Sequence, residues 1–435
     1  MYYIYQILGN FGYKSVNFAV RTMDDTKLNR ILLHKNEKQN LASIHIFKCL
    51  NIKEKKLIFL VPASLYSPST NIREKLIPWG LNEEEYEIIK MPANGAYDTG
   101  IFDYTPDEVL FFLYIDMISR LKIGDTVFMD INAGLNEYVD SLNDAISYAY
   151  VTLGLLNLGT DENHHDLEVY KIISEPVMRT NVRDIYSVYI QKVSKKIFFS
   201  LPSREYLKPG STLDASPDTK KEFTSKFSLK NYYRTIIDNS IIIFNSIKMN
   251  TLSVLVTDEN LVSIEMKNKI LECLKEIITI YYETFFKDIS SGNRQSKIQN
   301  VGKIISFIMS LNMYLGFINL LEKRVHGVRN SEDNSIINLD KLENFAREIY
   351  ENDKINMRLN LQFLQRDIHE FKNYTEKIEK ERKTSNDKKI EGNAKRNFFA
   401  HSGIDYNTVN RLSKNEVKFV GELEERKKWL LSADK

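Results

Sequence analysis

Proline and glycine are scarce in this chain: nine prolines and 17 glycines in 435 residues, about half their usual share of roughly 12%. So few breakers imply long uninterrupted elements, helices above all. Cysteine is scarcer still. Cys49 and Cys273 lie far apart in unlike surroundings, which excludes a disulfide framework and a cysteine-based metal site. Excess charge is nearly absent, because 60 Lys and Arg against 58 Asp and Glu leave +2. Bulk charge therefore marks the chain as neither a nucleic-acid binder nor a membrane binder, and any basic site must be local. No run approaches eighteen apolar residues, so no membrane-spanning helix is expected. The opening MYYIYQIL is followed at once by Gly9 and Asn10, with no basic region before it, unlike a signal peptide. The expectation is a reduced, cytoplasmic protein without membrane contact. Missing too are the phosphate-loop, dinucleotide GxGxxG, GxSxG and HExxH motifs.

The first two hundred residues alternate between two kinds of segment. Short apolar runs rich in Ile, Val, Phe and Tyr occupy 2–8, 56–61, 86–91 and 126–131, each stopped by turn residues such as Gly9-Asn10, Pro62 or Asn132-Ala133-Gly134. Such runs suit strands buried on both faces. The stretch MPANGAYDTG after the third reads as a loop. Thr105-Pro106-Asp107-Glu108 combines an N-cap threonine, a first-turn proline and a glutamate at N3, the pattern of a capping box. Residues 136–156 repeat apolar side chains every three or four positions, as an amphipathic helix does. Strand–helix alternation predicts an open, mostly parallel, doubly wound sheet, whose ligand would sit beyond the carboxyl ends of the strands.

Three of the nine prolines fall at 202, 209 and 217, and none follows. The expected organisation is an α/β domain over 1–201, a linker over 202–221, a helical connector over 222–255 that could carry a helix-turn-helix, and an all-α domain over 256–435. Helical patterns stand at 268–286, 301–321 and 342–355. From 371 to 400 nine Lys or Arg face five Asp or Glu, a local excess of positive charge.

That basic stretch runs into KRNFFAHSG, residues 395–403. Asn397 and His401 are four apart and share a helical face. Ser402-Gly403 provides a stop, placing His401 where the helix dipole favours a cation. A guanidinium can stabilise a crowded phosphate and an imidazole can move its proton, a pairing suited to metal-free RNA cleavage. On spacing alone, an exposed arginine and histidine at a helix end is the better account. His164-His165-Asp166 reads as a polar loop, and the isolated His34, His45, His326 and His369 read as surface or core residues.

RNFFAH resembles the R-N-x-x-x-H signature of the HEPN ribonuclease superfamily. The N-terminal half resembles a CARF domain, the Rossmann-like sensor of type III CRISPR systems, through ILGNFGYKSVNF after the first strand and MDINAGLN after a later one. The second pattern usually has Thr or Ser where this chain has Asn132. CARF followed by HEPN is the architecture of CRISPR-associated accessory ribonucleases. The resemblance implies an endoribonuclease of antiviral defence, active on single-stranded RNA without a metal or other cofactor. It implies an allosteric activator, a cyclic oligoadenylate bound across a homodimer, with cyclic tetra-adenylate favoured over cyclic hexa-adenylate. Arg396, Asn397 and His401 would form the catalytic set. Gly9, Asn10, Phe11, Asn94, Asn132, Ala133, Gly134, Leu135 and Asn136 would form the ligand loops, with glycines admitting phosphates and asparagine amides reading adenine edges. The alternatives are a ligand-responsive transcription regulator and a nuclease-dead HEPN adaptor.

Overall fold

A computed structural model describes the chain except for residues 23–25, 34–36, 67–70, 135, 160–166, 178–183, 194–206, 291, 293–297, 329–332, 353–354, 374–389, 405–408, 420–422 and 433–435. Both His34 and His164-His165-Asp166 lie outside the described residues.

Apolar runs near the N-terminus become strands β1 (Tyr2–Ile7), β4 (Lys55–Pro62), β5 (Tyr86–Met91), β8 (Thr126–Asp130) and β9 (Glu168–Ser174), all mutually parallel in the order β9-β8-β1-β4-β5. Their alternation sorts side chains onto two faces. Tyr5, Ile7, Ile58, Leu60 and Met129 enter one core, and Ile4, Leu8, Leu57, Phe59 and Phe128 enter the other, as the two-residue repeat of a strand requires. Beyond β9 the sheet departs from the parallel expectation. β10 (Ile185–Val193) runs antiparallel to β9, β2 (Val16–Thr22) is parallel to β10, and the short β3 (Lys38–Gln39) closes the edge. The stretch expected as a loop after β5 is a hairpin of β6 (Asn94–Tyr97) and β7 (Gly100–Asp103). Its turn closes at Gly100, whose φ of 131° glycine adopts readily.

Helix α2 (Ala42–Cys49) packs on one face of the sheet, with the short α1 (Thr26–Ile31) and α3 (Ile72–Leu76) as further helices of this half. On the other face lie α4 (Pro106–Arg120) and α5 (Asn136–Leu156). The capping box forms as the sequence indicates. Thr105 Oγ1 accepts from the Glu108 N–H, and Glu108 accepts from the Thr105 N–H at 2.7 Å. Because the crossovers on either side of β1 use opposite faces, strand order reverses between β1 and β8. That point is the crevice where doubly wound sheets bind ligands.

The C-terminal half is helical: α6 (Pro217–Ser225), α7 (Tyr233–Lys248), α8 (Ser253–Thr257), α9 (Ile264–Ser290), α10 (Val301–Val328), α11 (Leu339–Tyr350), α12 (Arg358–Asn373), α13 (Ile390–Ala400) and α14 (Leu423–Leu431). It is not wholly α. Three short strands, β11 (Ile336–Asn338), β12 (Val409–Arg411) and β13 (Glu416–Phe419), form an antiparallel sheet in the order β11-β13-β12. α10 is long and apolar enough to cross a membrane, a property the search for unbroken apolar runs does not detect. Its most apolar window is 83% buried inside the fold, so it is the central helix of this half.

Two of the segments expected between the domains pack against their neighbours. The described part of the linker is packed, with Leu207 and Leu213 buried, Leu213 bridged to Ile298, and α6 beginning at Pro217. The connector over 222–255 is not a separate reading head either. Ile236, Ile237, Ile241 and Ile243 of α7 are buried in the core shared with α10 and α14. A helix with that much of its surface in the core does not present a DNA-reading face. The same core continues from α4 and α5 into α9 and α10, so the two halves meet over an apolar junction.

Candidate ligand cleft and candidate active site

The residues after β1 cross the carboxyl ends of β8 and β9 before entering β2, and their loop roofs an open cleft of about 580 Å³. Asn10, Tyr13 and Lys14 from this loop line it, facing Asp130, Asn132 and Ala133 at the end of β8, Ser174 after β9, and Leu41 and Ala42 at the start of α2. The cleft therefore lies where strand order reverses. Lys14 and the positive end of the α2 dipole favour an anion there. Asp130 opposes them. Burial pushes its carboxyl above the ordinary carboxylate range, against the hydrogen bonds from Asn132 and Ser43 that pull it down. It accepts the Ser43 N–H at 3.0 Å and the Asn132 N–H at 2.9 Å.

Of the residues expected to hold a ligand, Asn10, Asn132 and Ala133 line the cleft. The Asn132 amide is committed elsewhere: it donates to Asp130 (2.6 Å) and the Ile172 carbonyl (2.9 Å) and accepts the Ser174 N–H (2.8 Å). It stitches β8 to β9, and reading an adenine edge would break that stitch. Gly9 and Gly134 meet each other, a Cβ on Gly9 falling 3.1 Å from the Gly134 Cα. Gly134 has φ 113°, and a Cβ there would sit 2.9 Å from Ile7 Cγ2. Both glycines are thus required by chain packing at the mouth of the cleft. Phe11 is half-buried against the α2-side core. Asn94 lies on β6, bonded to Glu137 at 2.9 Å and away from the cleft lining. Asn136 is exposed at the first turn of α5, and Leu135 lies outside the described residues.

Tyr13, Lys14, Asn40 and Asp130 also line the cleft and were not singled out from the sequence. Tyr13 is fixed by the Gly9 N–H, which donates to its hydroxyl at 3.0 Å, and by the edge of Trp79. An acidic residue ending a fully apolar strand, FMD, was the available signal for Asp130. The remaining histidines behave as read: His45 is buried beside Phe18 and Cys49, and burial pushes it down to about 4.

At the other end of the chain, α13 carries Arg396 and Asn397, with His401 in the turn that closes it. Arg396 and His401 are exposed and Asn397 is half-buried. Phe398 faces inward, fully buried against Trp429 with ring centroids 5.4 Å apart. The helix ends in a Schellman turn. The His401 N–H donates to the Asn397 carbonyl at 3.0 Å and the Gly403 N–H to the Phe398 carbonyl at 2.8 Å, with Ser402 and Gly403 both at positive φ. One buried aromatic thus orients the helix and leaves a cation and an imidazole facing solvent at its end. Such a pair can bind a phosphodiester and transfer a proton.

Comparison with known proteins yields one family. Residues 3–176 match the family model described as CRISPR system endoribonuclease Csx1, CARF domain. No curated protein matches the chain. The match covers β1 to β9 and includes every described residue of the cleft except Val177. Residues 3–176, some two fifths of the chain, are thus similar to the CARF domain of Csx1, a likeness that supports a CARF-containing accessory protein of CRISPR systems.

Proposed function

We propose that this protein is a ribonuclease switched on by a cyclic oligoadenylate. CARF domains bind ligands of the cyclic-oligoadenylate type in type III CRISPR defence. The observation that carries the nuclease half of the reading is the exposed Arg396 and His401 at the end of one helix. In the proposed reaction the substrate's own 2′-hydroxyl gives its proton to solvent water and its oxygen attacks the adjacent phosphorus. The P–O5′ bond breaks, and the products are a 2′,3′-cyclic phosphate and a free 5′-hydroxyl. Arg396 stabilises the extra negative charge on the pentacovalent phosphate, and His401 protonates the departing 5′-oxygen. Asn397 holds the helix turn between them. No metal takes part in these steps.

The activator occupies the cleft over β1 and β8, across a homodimer whose two-fold axis matches a ring of four or six adenylates. Lys14 contributes charge to its phosphates. Tyr13 and Asn10 supply a planar surface and an amide for the bases. Calorimetry with cyclic tetra-adenylate and cyclic hexa-adenylate tests this assignment. Wild-type protein is expected to bind the four-membered ring, and Lys14→Glu to weaken it about tenfold or more by exchanging attraction for repulsion. Equal affinity in the two proteins would put the ring elsewhere.

A further inference from the structure

The turn that ends α13 is held from behind by a buried polar cluster drawn from two other elements. Ser402 has φ 53°, a left-handed conformation that L-residues other than Asn, Asp and Gly rarely adopt. Its hydroxyl donates to Asp367 Oδ2 on α12 at 2.6 Å and accepts from Asn250 Nδ2, just beyond α7, at 2.8 Å. Asn250 Nδ2 also donates to the Asn360 carbonyl at 2.8 Å. The Asn360 side chain returns to the end of α7, donating to the Ile247 and Lys248 carbonyls at 3.2 and 3.1 Å. Ser402, Asp367 and Asn250 are 3%, 4% and 7% exposed, so water does not replace these bonds readily. Gly403 locks the other side. It has φ 75°, and a Cβ on it would fall 2.6 Å from Ser253 Oγ.

We infer that Asp367 and Asn250 are positioning residues, gripping the Ser402 hydroxyl so that the left-handed turn fixes His401 relative to Arg396. This rests on the nuclease reading of that pair. Ser402 is the residue immediately after His401, and beyond it the backbone is held by turn bonds, from the Gly403 N–H to the Phe398 carbonyl at 2.8 Å and from the Ile404 N–H to the His401 carbonyl at 2.7 Å. Without the grip, the backbone at 402 regains the ordinary right-handed and extended conformations, and the imidazole moves with it. Proton transfer to a leaving oxygen depends steeply on that placement, and a shift of roughly 1 Å can cost about a hundredfold in rate.

Ser402→Gly separates the hydroxyl from the backbone, because glycine accepts the left-handed turn more readily than serine and brings no hydroxyl. The expected result is a kcat about 10- to 100-fold lower, an unchanged KM for RNA, and a protein that stays folded at assay temperature with a melting temperature modestly below wild type, because Asp367 and Asn250 lose a buried partner. A shifted His401 ring resonance in the NMR spectrum should accompany it. Asp367→Asn, whose amide oxygen still accepts from Ser402, should recover most of the rate lost in Asp367→Ala. A wild-type kcat in Ser402→Gly would overturn the inference, as would rate losses that only follow the loss of folded protein in every variant. His401→Ala, assayed alongside, separates the two readings. If it keeps full activity the nuclease assignment fails, and the His401 resonance alone then decides the grip, an unmoved signal overturning it.

Discussion

Replacing His401 with alanine is expected to slow RNA cleavage by about a hundred- to a thousandfold, and Arg396→Ala by a similar factor. The two losses have different origins. Without His401 the 5′-oxygen must leave as an alkoxide, a high-energy species in water. Without Arg396 the pentacovalent phosphate carries its added charge with no fixed counter-charge, and a guanidinium cannot be replaced by a flexible solvent ion at the same geometry. Both residues are exposed, so neither substitution removes a buried contact, and the melting temperature should stay close to wild type. RNA binding should weaken for both variants and more for Arg396→Ala, since the guanidinium is permanently charged and can hold two phosphate oxygens at once. Gel-based cleavage of a labelled single strand, with thermal unfolding of each variant, checks all of this. Full activity in either variant would reject the proposed chemistry.

The second large effect lies at the junction of the two halves. Gly316 of α10 presses directly on the end of α5: a Cβ there would lie 1.9 Å from the Leu155 carbonyl oxygen and 2.9 Å from its carbon. No rotamer relieves that overlap, because the obstacle is backbone. Gly316→Ala must push the helices apart or bend one of them. The expected cost is about 3 kcal/mol, at the upper end of overpacking effects, and a fall of roughly 3 °C in melting temperature for a chain of this length. α5 begins at the cleft loop and α10 is central to the half that bears Arg396 and His401, so the contact lies on the route between the two candidate sites. Activation by the ring should therefore weaken more than ring affinity does. Calorimetric melting and ring titration of the variant measure both, and an unaltered melting temperature would mean that the helices do not bear on each other so closely.

Local chemistry was legible in the sequence, and long-range pairing was not. The capping box at Thr105 and Glu108 needs only four adjacent residues and could be read directly. The parallel strands β1, β4, β5 and β8 announced themselves as short apolar runs with turn residues behind them. β2 and β10 were missed because their pairing joins residues 17 and 185, a relation that no window along the chain contains. The hairpin of β6 and β7 was hidden by its glycines, which read as loop. At the candidate active site the motif 396–401 was plain, but the grip behind it was not, since Asn250, Asp367 and Ser402 come from segments more than a hundred residues apart at the extremes. At the cleft, asparagines were weighted as ligand groups from their chemistry alone. The structure commits Asn132 to a strand-to-strand brace and puts Tyr13, Lys14 and the buried Asp130 in the lining of the cleft.

Cleavage of a single-stranded RNA, followed with and without cyclic tetra-adenylate in buffer containing EDTA, tests the central claim most directly. A coupling of about 1–3 kcal/mol between cleft and nuclease corresponds to some 5- to 150-fold activation. The account predicts an increase of at least that order on adding the ring, unaffected by the chelator, with 2′,3′-cyclic phosphate ends on the products. Cleavage that ignores the ring, or that EDTA abolishes, would contradict it.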